Sequence, residues 1–296
     1  MSRINTNINA LNALRSLNDV NARMSTSQLR LATGKRVNTA GDDAAGYTIA
    51  KKFNARAEGL GQALSNIGSA KNLVAVAEGH LNNIVDILTQ MKTKATQAAD
   101  DSLGTAERNA IKSELQALAT QIDLENTQAT WNSKNIFKGT NSASSSNTDV
   151  QFQFQISAGS STANDILTFN LLDTDNVSID STNTSLTSTG LRVGSASIEV
   201  SSSASAQDLM GKIDTAIADV SKALSYIGSV VNRLSYQESS LTVAKTNTEA
   251  ARSRIEDADM AYEQLQSTKL QILQQTASAM LAQANSGPQS ILSLFR

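Results

Sequence analysis

The chain contains one histidine and no cysteine, which removes thiolate nucleophiles, disulfides, sulfur-ligated zinc and any His–His metal pair. His80 lies in Ala77-Glu78-Gly79-His80-Leu81 with no second ligand type at i+4 and reads as an ordinary surface or interface histidine. Asp173-Thr174-Asp175-Asn176-Val177 opens like a calcium loop, but Ser178 stands where that loop needs Gly and Thr184 where it needs Glu. Asn176-Val177-Ser178 and Asn183-Thr184-Ser185 match N-glycosylation sequons. The N-terminus shows no basic region followed by a short apolar run, so no secretory signal is expected to deliver them. Phosphate-cradling glycine loops, a Gly-x-Ser-x-Gly elbow and a His-Glu-x-x-His helix are missing. With 25 basic against 27 acidic residues, nothing favours nucleic acid or an anionic membrane face. No stretch approaches the roughly 20 apolar residues of a membrane-inserted helix. The expectation is a protein with no catalytic residue, metal or cofactor: not an enzyme.

What the chain does carry is apolar spacing. Ile4, Ile8, Leu11 and Leu14 share one helical face, and Leu17, Met24 and Leu31 follow at intervals of seven. Near the other end Leu270, Leu273, Ala277, Met280 and Ala284 recur at alternating intervals of three and four, with Leu292, Leu294 and Phe295 beyond them. These are coiled-coil seams. Each is narrow and flanked by Asn, Gln, Ser and Thr, so neither helix can hide its stripe alone. The two ends are expected to pack on each other and on further helices.

Punctuation sets the elements that carry these seams. Thr33-Gly34 closes the first helix, and Asp42 or Asp43 caps the next, which runs from about 43 to 99. At about 1.5 Å per residue that helix is on the order of 80 Å long. A turn at Asp100-Asp101-Ser102-Leu103-Gly104 precedes a helix over about 105–127, and another long helix covers about 207–253. Ser253-Arg254-Ile255-Glu256 fits a capping box that would start a new helix; equally, it is an exposed stretch of one continuous helix. Pro288 is the only proline.

Between the helical halves lies an excursion, residues 140–205, with Arg192 as its one basic residue against six acids and a dense content of Ser and Thr. Phe152, Phe154 and Ile156 alternate with glutamines, and Leu167, Phe169 and Leu171 with polar residues, which predicts a β-hairpin turning at Ala158-Gly159-Ser160-Ser161. Five of the eleven aromatics, Trp131, Phe137, Phe152, Phe154 and Phe169, fall near this hairpin and are expected to pin it to the helices. Residues 140–149 and 173–190 read as loose surface loops, where Ser144, Ser145, Thr184 and Ser188 are candidate O-glycan acceptors. The fold class is mainly α: long coiled-coil helices from both termini packed into an elongated rod, with a small hairpin-containing excursion. Two functions fit that fold, a self-assembling structural subunit or a soluble coiled-coil adhesin. Seams at both chain ends favour the first.

The motifs at both ends resemble those of bacterial flagellin. Ile4-Asn5-Thr6-Asn7-Ile8-Asn9-Ala10-Leu11, Leu29 through Asn38, and Gly41-Asp42-Asp43-Ala44-Ala45-Gly46 match its opening. The segments 253–261 and 271–296 match its close. The nearest competitor is the hook–filament junction protein of the same superfamily; Asp42-Asp43-Ala44-Ala45-Gly46 and the ending through Phe295-Arg296 look like flagellin instead. The resemblance implies an extracellular filament subunit for swimming motility. It would be exported unfolded through the flagellar type III apparatus and polymerised with a chaperone, a filament cap and hook-junction proteins as partners. It further implies an inner coiled coil of 1–42 with 257–296 and a rod of 43–256, without separate outer domains. An animal Toll-like receptor binds many flagellins through Arg and Leu four residues apart and a Glu on the neighbouring helix. Gln90, Lys94 and Glu114 stand at those places here, and one match in three implies weak binding.

Overall fold

The computed structural model describes residues 6–137, 152–159, 165–169 and 186–294, with side chains as far as 286. Helix α1 spans Ile8–Thr33. The Asn7 side chain accepts from the Ala10 amide at its start, and Gly34 closes it at φ 69°, donating to the Arg30 carbonyl. A left-handed residue there suits glycine because it has no Cβ to clash. Helix α2 (Ala44–Ala98) begins under Asp43, whose Oδ1 accepts from the Gly46 amide at 2.9 Å. Helix α3 covers Thr105–Gln128, α4 Ser203–Glu256 and α5 Met260–Leu294.

Two compact units are present: residues 59–244, and residues 1–58 with 245–296. Both divisions fall inside helices α2 and α4, whereas the boundaries expected from sequence lie at the loops before α2 and after α4. The first unit holds a conventional core. On α2 a buried row runs through Leu60, Ala63, Ile67, Ala70, Val74, Ala77, Leu81, Ile84, Leu88, Met91, Ala95 and Ala98, alternating three and four apart, with Leu73 and Ile87 buried beside it. On α4 Ala206, Leu209, Ile213, Ala216, Val220, Ala223, Ile227, Val230 and Leu234 do the same. That spacing keeps one apolar seam facing its partner over many turns. The pairs Lys71–Glu238 and Lys92–Asp214 descend one helix as they ascend the other, so α2 and α4 are antiparallel here. Helix α3 adds Ile111, Leu115, Ala119 and Ile122 to the core.

The excursion packs on these helices. Strands β1 (Thr130–Trp131) and β2 (Lys134–Asn135) form a tight hairpin through Asn132 and Ser133, at φ 48° and 64°. Its two left-handed residues are those a two-residue turn requires, and the sequence reading missed it. Strands β3 (Phe152–Gln155) and β4 (Ile166–Phe169) pair antiparallel with Phe152 opposite Phe169, as the alternation predicts. Phe137 and Phe169 are fully buried, and Trp131, Phe152 and Phe154 pack against the same core. Asn66 of α2 and Gln237 of α4 donate to the carbonyls of Gln155 and Ile156, holding the β3 end to both helices.

One expectation is corrected, and one open alternative is decided for the continuous helix. Residues 186–190 are not loose: Leu186, Ser188 and Gly190 are buried, and Asp123 of α3 accepts from the Ser188 amide and hydroxyl at 2.8 and 2.9 Å. No helix starts at Ser253, because α4 runs on to Glu256. Helix α5 is capped by Asp259, whose Oδ1 accepts from the amides of Ala261 and Tyr262. The remaining loop residues expected at 140–149 and 173–185 lie outside the described residues.

Candidate functional site

The candidate site is the pair of terminal helices, both in the unit formed by 1–58 and 245–296. Along α1 a sheltered row runs through Ala10, Ala13, Leu17, Val20, Met24, Ser27 and Leu31, with Arg30 beside it; along α5 one runs through Glu263, Ser267, Leu270, Gln274, Ala277, Leu281 and Ala284, with Gln266 beside it. Both sets alternate three and four, as a seam must. Of the residues assigned to the seam from sequence, Leu17, Met24, Leu31, Leu270, Ala277 and Ala284 are on it. Ile8, Leu11 and Leu14 are not: they stand 58, 56 and 43% exposed on another face of α1. Leu273 and Met280 likewise face out, at 41 and 61%. The reason is physical. The seam mixes Ala10, Ala13, Ala277 and Ala284 with Leu17, Met24, Leu31, Leu270 and Leu281, and a second set of large apolar residues falls on stripes that the pair leaves uncovered. Ile4, Phe295 and the side chains of Leu292 and Leu294 lie outside the described residues.

Each helix therefore carries two apolar faces. On α5 the outer one continues through Met260, Tyr262, Leu265 and Ile272, all at least 48% exposed. An open groove of about 600 Å³ runs beside the seam between Ala13, Ser16 and Val20 on one wall and Leu273, Ala277 and Met280 on the other. Contiguous exposed apolar area of this kind is shared by protein, ligand and membrane contact surfaces.

The seam is not wholly apolar. Glu263 is 5% exposed, its Oε2 accepting from Ser27 Oγ at 3.0 Å and its Oε1 from Arg30 Nη1 at 3.1 Å. Sequence reading missed this cluster because it searched for apolar residues. The signal that could have found Ser27 is its place between Met24 and Leu31, where it continues the same alternation.

Beyond the seam the chain passes through a hydrogen-bonded junction. Lys35 and Asp257 form an isolated antiparallel bridge, the amides of Arg36 and Val37 donate to the Glu256 carbonyl, and Ala258 donates to the Gly34 carbonyl. Lys35 Nζ meets Glu256 Oε1 at 2.6 Å, and Arg36 donates to the Ile255 carbonyl at 2.8 Å. Asp42 gathers the turn: its Oδ2 accepts from the Thr39 amide, the Thr39 hydroxyl and the Asn38 amide, and those bonds, the Thr39 amide first, hold its pKa below the ordinary Asp range. Of the four residues singled out as caps and junctions, Asp43 caps a helix and Asp42 and Glu256 hold the junction. Ser253 donates to Asp257 instead of opening a helix.

The remaining candidates are scattered. Gln90 is exposed on α2, and Lys94 is tied to Glu114 of α3 at 2.8 Å. His80 Nδ1 lies 2.9 Å from Glu125 Oε2 with its ring edge-on to Phe137, and that bond is the first cause of a Glu125 pKa below the usual carboxylate value. Ser188, at 1% exposure, is no accessible sugar acceptor. Ser144, Ser145 and Thr184 lie outside the described residues. Among the described residues no group of three metal-ligating side chains is present, and no helix is long and apolar enough to cross a membrane.

The model for the bacterial flagellin N-terminal helical region matches residues 4–142, and that for the bacterial flagellin C-terminal helical region matches 210–295. The chain belongs to the bacterial flagellin family. The flagellin of Bacillus subtilis is 32% identical over 99% of this chain and 100% of its own length. The flagellar filament 33 kDa core protein of Treponema phagedenis is 33% identical over 99% of both chains. A solved flagellar hook-associated protein from Vibrio parahaemolyticus superposes with a TM-score of 0.56 over 73% of this chain and 100% of its own. At 16% identity that is a likeness of fold. The two flagellin regions include the whole of α1 and of α5, the helices that meet in the seam.

Proposed function

We propose that the chain is the structural subunit of a bacterial flagellar filament, serving swimming motility by polymerising and catalysing no reaction. The observation that carries this reading is the pairing of α1 with α5, which satisfies one seam and leaves a large apolar stripe on each helix exposed. A monomer gains nothing from such stripes, whereas a polymer buries them. Identical subunits meeting through different faces make heterologous contacts, which generate a helical array rather than a closed ring. The subunit works outside the cell, after export in unfolded form through the flagellar type III apparatus. A cytoplasmic chaperone shields the exposed stripes on the way, and a cap and hook-junction proteins bound the filament. Recognition by an animal Toll-like receptor is weak, because Lys94 is a charge engaged with Glu114 where an apolar anchor is needed.

Complementation tests the central reading. A flagellin-deficient strain given this gene should make filaments and swim, and the purified chain should elongate filament seeds visible by electron microscopy. A chain that is secreted and folded yet remains monomeric with seeds would overturn it. A reporter-cell titration as potent as a strong agonist would refute the receptor reading alone.

A further inference from the structure

Heptad seams repeat, so an antiparallel helix pair built on one can slide by seven residues and still bury apolar side chains. The α1–α5 seam is open to this because its apolar layers, Ala10, Ala13 and Leu17 against Ala277, Leu281 and Ala284, are alike, two alanines and a leucine on each helix. The junction bonds at 34–37 hold only one end of the pair. Besides the exposed bond from Gln274 to Asn21, two polar contacts break the repeat. Asn7 Nδ2 donates to the Ala284 carbonyl at 2.7 Å. That carbonyl would ordinarily take the amide of residue 288, four residues on, but residue 288 is proline and has no N–H. Near the other end, Ser27 and Arg30 hold buried Glu263.

We propose that Asn7 on the carbonyl freed by Pro288, together with Ser27 and Arg30 on Glu263, fixes the register of α1 against α5, making these the specificity-determining residues of the chain's self-pairing. This goes beyond the filament-subunit reading and rests on it only for its consequence in assembly. A slip of seven in one direction places Asn7 over Ala277, whose carbonyl already serves its own helix, and carries Glu263 over Val20 and Arg23. Arg23 is paired with Asp19 at 2.9 Å in solvent, and Val20 offers no donor. A slip the other way sets Leu14, with no side-chain N–H, against Ala284, and pushes Glu263 past the end of α1 towards Gly34 and Val37. The first slip takes the Ser27 hydroxyl from Glu263 and offers Arg23 only by breaking its pair with Asp19, and the second removes both donors. A sheltered carboxylate that loses its donors costs more than a lost apolar contact.

Because the natural chain has no cysteine, introduced thiols report the register directly. Asn21 and Gln274 are hydrogen-bonded at 2.8 Å, so Asn21→Cys with Gln274→Cys marks the native register. Leu14→Cys or Gln28→Cys with Gln274→Cys marks a slip of seven in each direction. The full-length chain, soluble and assembled, is treated with a short thiol–thiol cross-linker. With native pins, the slipped pairs should cross-link about tenfold less than the native pair, the ratio expected from a charge-assisted hydrogen bond. In the double variant Glu263→Leu with Pro288→Ala, slipped and native yields should become comparable while helicity by circular dichroism is retained. Restoring Pro288, or replacing Leu at 263 by Gln, whose amide oxygen still accepts from Ser27 and Arg30, should return the native register. A double variant that cross-links only in the native register overturns the proposal, as does a Gln variant that slips. Loss of all cross-links in the double and both restored variants would show a folding role alone and also overturn it. Failure of the unmutated chain to elongate seeds would count against the subunit reading while leaving the register result standing.

Discussion

Arg192 is the one basic side chain of the excursion, and it sits at φ 62° in a turn closed by its own amide on the Thr189 carbonyl. Leu191 and Val193 on either side are buried, so the turn cannot relax around it. A non-glycine residue in this region costs about 1 kcal/mol, part of which glycine returns through its looser unfolded chain. Arg192→Gly is therefore expected to raise stability by about 0.5 kcal/mol, read as a higher denaturation midpoint; a lower midpoint would mean that the arginine side chain makes a stabilising contact. Glu125 gives a pH-dependent counterpart. Its pKa is held below the ordinary value, chiefly by the bond to His80. That stabilisation is complete above about pH 4.3, the unfolded value, and disappears as pH falls through the lower folded one. Thermal midpoints measured from pH 7 down to 3 should fall less steeply for Glu125→Gln than for the parent chain. At pH 7 the variant itself should be less stable by about 1 kcal/mol.

At the scale of the element, the helix ends and strand alternation were legible because each has a local cause. Gly34 supplies a left-handed residue, Asp43 an acceptor for free amides, and the Phe-Gln repeat of 152–155 a two-residue period. The seam faces were not legible in full. Each terminal helix carries two apolar stripes, and size drew the reading to Ile8, Leu11, Leu273 and Met280, while the pair closes over Ala10, Ala13, Ser27 and Glu263. Burial of a carboxylate has no signature in an apolar pattern, and Asp259 has Tyr262, not Glu or Gln, at the position that completes a capping box. The two stripes predict two kinds of mutant. Leu281→Asp sets a charge in the seam and should destabilise the α1–α5 pair by about 2–4 kcal/mol, seen as lost helicity in the soluble chain. Met280→Asp stands in solvent in the monomer, should leave that helicity unchanged, and should still stop elongation of seeds. Equal effects of both on the soluble chain would sink the division into an inner seam and an outer stripe.

For the whole molecule, the two units differ in what they bury. The unit of 59–244 holds a continuous apolar core from Leu60 to Leu241. In the unit of 1–58 and 245–296 the described apolar residues that are buried reduce to Val37, Ala50, Ala57 and Leu270, against many large ones left exposed. Stability follows buried apolar area, so the terminal unit should open at lower free energy than the core unit. Long helices with narrow seams gain little on their own, since nucleation is costly and most helix stability comes from packing. Polymerisation adds partners to the folded form only, which raises its apparent stability by mass action. The soluble chain should therefore melt in two steps, the first losing α1 and α5, and amide exchange there should outpace exchange in residues 60–98 and 206–241. In assembled filaments the first step should move up towards or past the second, and exchange in α1 and α5 should slow by orders of magnitude. A soluble chain that melts in one step, with α1 and α5 protected as well as the core helices, would mean that the termini are stable before assembly. The exposed stripes would then need some purpose other than joining subunits.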